Sequence, residues 1–423
     1  MVLFGVTLVR MSSRHGAEPM EDPVPRSLQH PGPTGGVSTV SSILNPAILP
    51  HTIVAFLYTI FVLGQIRRKL VRLNTRVVVE FLILHVLWQS LVLDTLGKGW
   101  ALLLILVMIC YINSHLLSEF FAVENKAVLI TGCDRGFGHA LAIRLDQLGF
   151  RVFAGCLDKT GEGAVKLEAQ CSDKLKTIQL DITKDDDVEI GVQTVKAHLG
   201  SSDLWGIVNN AGICMAGNTE IMAMEDMKKI MEVNFWGPVR VCKAFLPLVR
   251  RGSGRVVNVA SNAGLVPIPL MGAYCASKAA VATMTEIWRA ELQAWGVKVS
   301  TVIPSGFNTG ILAYDKSKMA EKWFAGASDV VKEDFGKEAF YVKPKAQGNE
   351  EKLLSSDLSL IVDVMVDALL STAPKACYYR GFLARSLPFL YTHFPTVVTD
   401  PLMKVLGDWF DTVTPRALQK REL

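Results

Sequence analysis

Tyr274 and Lys278 stand four residues apart in AYCASKAA, and Ser261 follows an apolar run in VNVASNAG. A spacing of four puts the phenol and the ammonium on one face of a helix. These three residue types suit one chemistry, the oxidation of an alcohol. A carbinol must lose its hydroxyl proton as hydride leaves the carbon, yet a free tyrosine has a pKa of about 10. An ammonium nearby favours the tyrosinate that would take the proton, and a serine hydroxyl can hold the substrate oxygen. A Tyr and a Lys at this spacing are often only surface neighbours. The glycine-rich turn that precedes them in the chain, and the order of the motifs, give the trio its weight.

That turn lies in KAVLITGCDRGFGHALAIRLDQLGFRVFAGCLD, residues 126–158. Residues 127–130 read as a buried strand, and Thr131 to Gly138 form a T-G-x-x-x-G-x-G turn. An apolar-periodic helix through Ala140, Leu141, Ile143, Leu145 and Leu148 follows, and a second strand rises through Val152 and Phe153. This is a β-α-β unit opening a doubly wound sheet. Glycine lets the backbone turn tightly and pass close to a pyrophosphate, to whose charged oxygens the N–H groups of a helix start can donate. Gly132, Arg135, Gly136, Phe137 and Gly138 are therefore candidate cofactor residues; the competing reading is a purely structural turn.

The elements that must carry Ser261, Tyr274 and Lys278 can be placed around this unit. The second strand runs into Asp158, near the tip where an acid can accept from adenosine ribose hydroxyls; a solvated turn is the alternative. Lys159 and Arg135 are the nearby cations, and NAD is favoured over NADP. A third strand, 176–180, ends in Asp181-Ile182, where the acid either accepts from an adenine amino group or caps the next helix. A fourth, 204–208, closes in Asn209-Asn210-Ala211-Gly212, which can brace the sheet and line a cofactor. Asn234, in MEVNFWG on a helix, is either a satisfied core amide or part of a catalytic water chain. Strand 255–259 leads to Ser261, and strand 299–303 to Pro304-Ser305-Gly306, with Thr309 beyond it placed to bond a carboxamide. The fold class is α/β: a doubly wound, mostly parallel Rossmann sheet preceded by N-terminal transmembrane helices. Its catalytic domain covers 124–380. A substrate-covering lid is expected at 305–356, with a helix near 319–325, and a further helix at 362–370.

Half of the 423 residues are hydrophobic, which points toward membrane segments, and the net charge of +4 gives no support for a nucleic-acid partner. The eight cysteines form no C-x-x-C pair or metal-like cluster and suit free thiols in a reducing compartment; no metal site is expected. Residues 1–45 read as a mobile extension without a cleavable signal. Three apolar stretches, 48–66, 77–96 and 100–117, make 46–120 a candidate anchor, since a bilayer core of about 30 Å needs roughly 20 apolar residues. Glu80, His85 and Asp94 weaken the second stretch. Arg67, Arg68, Lys69, Arg72 and Arg76 would keep the first connection, and with three spans the catalytic domain, in the cytoplasm. The tail, 381–423, holds apolar residues interrupted by Pro388, Pro395 and Pro401, which argue against a fourth span and fit a membrane-surface contact, a substrate-site wall or core packing.

Taken in order, TGCDRGFG, Asn209-Asn210-Ala211-Gly212, Asn234, Ser261 and Tyr274-x-x-x-Lys278 resemble the short-chain dehydrogenase/reductase family over about 125–310. The resemblance implies a catalytic tetrad of Asn234, Ser261, Tyr274 and Lys278. It also implies pyrophosphate binding by Gly132, Gly136 and Gly138, with Asp181 beside adenine and Asn209 near the adenosine part; Ile182, Ala211, Gly212, Pro304, Gly306 and Thr309, read from their strand ends, complete the cofactor candidates. LAIRLDQLGFRVFAG, FLPLVRRGSGRVVNV, WGVKVS and the final TPRAL are similar to the membrane-anchored steroid dehydrogenases. That subgroup implies NAD-dependent oxidation of an apolar steroid alcohol, 17β before 11β, or of retinol. It also implies a multi-pass endoplasmic-reticulum location, membrane-lipid contact and a possible homodimer. Two positions depart from the NAD pattern: the family's usual acid aligns with Cys156, and Arg135 resembles a feature of NADP-preferring members. A catalytically silent nucleotide sensor is the reading from a different class.

Overall fold

The computed structural model describes residues 120–341, 343–344, 355–407 and 410–411, all within the second of the chain's two units, residues 96–423. Strand β1 (Lys126–Thr131) is buried along nearly its whole length, as a central strand of a two-faced sheet must be. Helix α1 (Gly136–Gln147) returns the chain to β2 (Arg151–Cys156), and α2 (Glu162–Gln170) returns it to β3 (Leu175–Gln179). Next, α3 (Asp185–His198) crosses to β4 (Asp203–Asn209) on the other side of β1. Helices α4 (Met224–Met231) and α5 (Gly237–Arg251) lead to β5 (Arg255–Val259), and α6 (Gly272–Glu291) leads to β6 (Lys298–Ser305).

Beyond β6 come α7 (Lys316–Gly326), α8 (Asp329–Phe335) and α9 (Ser359–Leu370), then β7 (Cys377–Gly381), α10 (Ser386–His393) and α11 (Thr396–Gly407). The sheet order is β3-β2-β1-β4-β5-β6-β7, parallel throughout. Lys343–Pro344 and Phe410–Asp411 form a separate antiparallel pair. Because the strand order reverses between β1 and β4, a crevice opens at the C-terminal strand ends there, where open α/β sheets take ligands.

Two apolar layers cover the sheet. One packs α1 and α9 on Val128, Ile130, Val208, Val257 and Val302; the other packs α3 and α5 on Leu129, Ile207, Val256 and Val299. The doubly wound parallel sheet expected from the sequence is present. The unexpected strand is β7, which adds to the edge at β6.

The anchor drawn from composition has no counterpart among the described residues. The stretches 48–66, 77–96 and 100–117 lie outside the described residues. Among the described residues no helix is long and apolar enough to cross a membrane. The twenty-residue α6 is long enough, but it carries Lys278, Glu286, Arg289 and Glu291. The strongly apolar α9 has twelve residues, about 18 Å against a bilayer core of about 30 Å. Membership of the membrane-anchored subgroup and the multi-pass endoplasmic-reticulum location therefore do not stand. The seven cysteines among the described residues carry free thiols.

Candidate active site

Ser261, Tyr274 and Lys278 come together at the C-terminal end of β5. Just past that strand, Ser261 is extended and its hydroxyl accepts from the Ala263 N–H at 3.2 Å, capping a 3₁₀ turn over Asn262–Gly264. The turn is pressed against α6: a Cβ on Gly264 would lie 2.6 Å from the Lys278 carbonyl carbon. Tyr274 and Lys278 are one turn apart on α6, 8% and 3% exposed. The Lys278 ammonium donates to the Val259 carbonyl at 2.8 Å and lies 5.9 Å from the Tyr274 ring centre.

Burial dominates the electrostatics of this group. It pushes the Tyr274 phenol well up, while a hydrogen bond with Ser261 pulls the other way. It brings Lys278 down to about 8. Cys214, buried beside both, has its thiol pushed up to about 12 by the same loss of water.

Asn234 sits on a turn of π-helix, Glu232–Trp236, inserted between α4 and α5. Such bulges re-aim a side chain and are frequent at functional sites. Its amide oxygen accepts from the Ile213 N–H at 2.8 Å, and its nitrogen donates to the Ile213 carbonyl and to Ser277 Oγ, both at 2.9 Å. Gly212 passes between this amide and the lysine; a Cβ there would lie 3.3 Å from Asn234 Oδ1 and 3.4 Å from Lys278 Nζ.

The glycine turn stands across the crevice. Gly132 and Gly136 have φ of +71° and +67°, where L side chains are disfavoured. A Cβ on Gly132 would lie 2.7 Å from Ala211 Cα, and one on Gly138 would fall on the Gly132 carbonyl oxygen. Asn210, in the stretch expected to brace the sheet, ties the turn to β4: its amide donates to the carbonyls of Thr131 at 2.9 Å and Gly132 at 3.0 Å. At the far side Phe307 packs edge-on against Phe137, and Thr309 lies beside Gly136. Pro304 is the penultimate residue of β6, and Gly306, just past the strand, has φ +71°. The loop after β6 thus packs on the glycine turn, and Gly136, without a side chain, lines the cleft on the turn's other side together with Asp134 and Arg135. The shape and exposed N–H groups fit a dinucleotide phosphate.

Other candidates sit elsewhere. Asn209 is buried and donates to Asn258 at 2.8 Å and Cys242 at 3.1 Å inside the sheet. Asp181 accepts from the Thr183 N–H at 3.0 Å and the Thr183 hydroxyl at 2.7 Å, turning the chain into α3. Burial pushes its carboxyl up, but those bonds and Lys184 outweigh it and hold it below the ordinary range. Ile182 is buried under Gly237. Asp158 is exposed and accepts from the Thr160 N–H at 2.9 Å and the Thr160 hydroxyl at 2.6 Å. Arg135, also exposed, precedes α1.

Residues 126–320 match the family described as short chain dehydrogenase. Estradiol 17-beta-dehydrogenase 2 of Mus musculus is 36% identical over 339 residues, covering 79% of this chain and 88% of the relative. The chain belongs to the short-chain dehydrogenase family. Two further relatives are similar to it. D-beta-hydroxybutyrate dehydrogenase, mitochondrial, of Rattus norvegicus is 38% identical, with 67% of this chain and 85% of the relative covered. Retinol dehydrogenase 7 of Mus musculus is 39% identical, with 66% of this chain and 88% of the relative covered. The short-chain dehydrogenase described here is an oxidoreductase acting on a CH–OH group with a nicotinamide dinucleotide.

Proposed function

We propose that this dehydrogenase oxidises a steroid alcohol to its ketone with NAD, the 17β-hydroxyl of estradiol or testosterone first. The observation that carries the reading is the apolar cluster around Tyr274. Ile213 and Met215 come from the segment after β4, Ile268 and Met271 from the approach to α6, and Leu312 and Trp323 from the segment between β6 and α8. Such walls suit a hydrocarbon skeleton with one reacting hydroxyl. The alignment with the mouse estradiol dehydrogenase takes in 79% of this chain, against 66% for the mouse retinol dehydrogenase, which supports the same substrate class.

A bound oxidised nicotinamide would supply the hydride acceptor and a positive charge near the phenol. Tyr274 takes the hydroxyl proton, Ser261 holds the substrate oxygen, and the Lys278 ammonium favours the tyrosinate. Asn234 fixes the Ile213 backbone and connects through Ser277 to α6, so it holds the wall beside the lysine. The glycine turn cradles the dinucleotide phosphates, and α7 covers the substrate. The higher identity to the mouse retinol dehydrogenase favours retinol as the second reading.

Initial rates with estradiol, testosterone, cortisol, retinol and 3-hydroxybutyrate, each with NAD and NADP, test the proposal. The expected result is NAD-linked oxidation of estradiol and testosterone, reduced by at least about a hundredfold in Tyr274→Phe, within the usual range for loss of general acid–base catalysis. Turnover of retinol or cortisol alone would replace the 17β assignment. Turnover of hydroxybutyrate alone would end the steroid reading.

A further inference from the structure

The tip of β2 lacks the acid that a ribose diol calls for. β2 ends at Cys156, which is fully buried. Both Asp158 bonds described above run into its own turn through Thr160. A third carboxylate reaches the tip from the other direction. Asp134, inside the glycine turn, accepts from the Leu157 N–H at 3.0 Å through Oδ2 and from the Asp158 N–H at 3.2 Å through Oδ1.

The arrangement is rigid on every side. Gln179 Nε2 donates to the Leu157 carbonyl at 2.7 Å, and its oxygen accepts from the Lys159 N–H at 3.1 Å, so the tip is held from β3 as well. Gly163, at the start of α2, lies directly on the Asp134 backbone; a Cβ there would fall on the Asp134 carbonyl oxygen. Asp134 lines a cleft of about 410 Å³ together with Arg135, Gly136, Glu162 and Lys166. Lys166 is paired with Glu162 at 2.6 Å.

We infer that Asp134 is the residue that selects NAD over NADP, its carboxylate accepting from the adenosine ribose at the β2 tip and repelling a 2′-phosphate. The inference rests on the NAD reading above. A carboxylate oxygen has two acceptor directions, and one backbone amide uses one of them, leaving an acceptor on each oxygen of Asp134 for a hydroxyl. A phosphate offers these oxygens no donor when ionised and brings like charge to an anchored one. Arg135 and Lys159 are the opposing cations. Their side chains are exposed, and neither makes an ion pair among the described residues, whereas Asp134 is fixed by two amides. Anchoring decides the sign.

Dissociation constants for NADH and NADPH, measured by fluorescence titration of the full chain without steroid, test the assignment. The wild type is expected to bind NADH more tightly. In Asp134→Asn and Asp134→Ser the NADPH-to-NADH ratio should fall by about tenfold or more, the weight of roughly one charged contact. Arg135→Ala should leave the ratio unchanged or raise it. The wild type supplies a reading that needs no variant. Raising salt screens the repulsion and should tighten NADPH relative to NADH, whereas a site governed by Arg135 would respond in the opposite sense. A wild-type preference for NADPH overturns the NAD reading and this inference together. A preference for NADH that survives in both Asp134 variants, an equal loss of both cofactors, or the opposite salt response overturns the inference alone.

Discussion

Lys278 is a residue whose protonation depends on its burial in the fold. Its ordinary value is 10.5, and burial brings it to about 8. Between those values the unfolded chain binds more protons than the folded one, so this residue makes stability rise with pH across that window. Below about 8 both states are protonated and the burial penalty stands in full. Buried thiols with raised pKa pull the other way above about 9, so the comparison must be with a variant. Relative to wild type, Lys278→Met should lose up to about 3 kcal/mol of advantage between pH 7.5 and 10, measured by urea unfolding at each pH. Gly138 gives a second test at this scale. An added methyl meets the Gly132 carbonyl and lies 2.5 Å from Asn210 Nδ2. Gly138→Ala should cost about 1–3 kcal/mol and weaken dinucleotide binding, read by melting and by NADH titration. The trio and the glycine turn were legible because their chemistry depends on residue type at fixed spacing. The role of Asp134 was not, because its partners lie 23 and 24 residues away and only the β1–β2 register brings them near.

Helices and strands followed the sequence where one periodicity dominated. β1, β4 and β5 are apolar runs, and the observed strands fall within a residue of the expected limits at each end. β7 escaped notice because CYYRG is short and half-exposed; it is made a strand by its pairing with β6, including Tyr379 with Ile303. The π-turn carrying Asn234 escaped for a similar reason, since an inserted residue leaves the apolar pattern of α4 and α5 nearly unchanged. Helix α7 is held down by a buried acid on α4. Asp226, 5% exposed, accepts from Lys322 Nζ at 2.8 Å and from Trp323 Nε1 at 2.7 Å. The Trp323 ring also rests on Gly217, where a Cβ would lie 2.6 Å from Trp323 Cζ3. Asp226→Ala should cost about 1–3 kcal/mol by leaving the indole N–H unpaired. It should also raise protease cleavage within 305–335 and raise KM more than it lowers kcat. Trp323→Phe, which keeps the ring and drops the N–H, should show a smaller change in both.

At the scale of the molecule, the sheet places four candidate site segments at the C-terminal ends of its strands. The glycine turn follows β1, the Asn210 brace follows β4, Ser261 follows β5 and Gly306 follows β6. The strand order that creates this crevice also sets a timetable for the growing chain. β1 pairs with β2 almost at once, but its other neighbour is β4, whose last residue comes about 80 residues after β1 ends. At roughly 5–20 residues per second, the ribosome leaves that side of a strand with an apolar centre, Ala127 to Ile130, without its partner for about 4–16 s. For that interval the nascent half-sheet presents an open, sticky edge. A synonymous slowing of translation between codons 132 and 203 should lower the soluble yield, with no change in the protein that does fold.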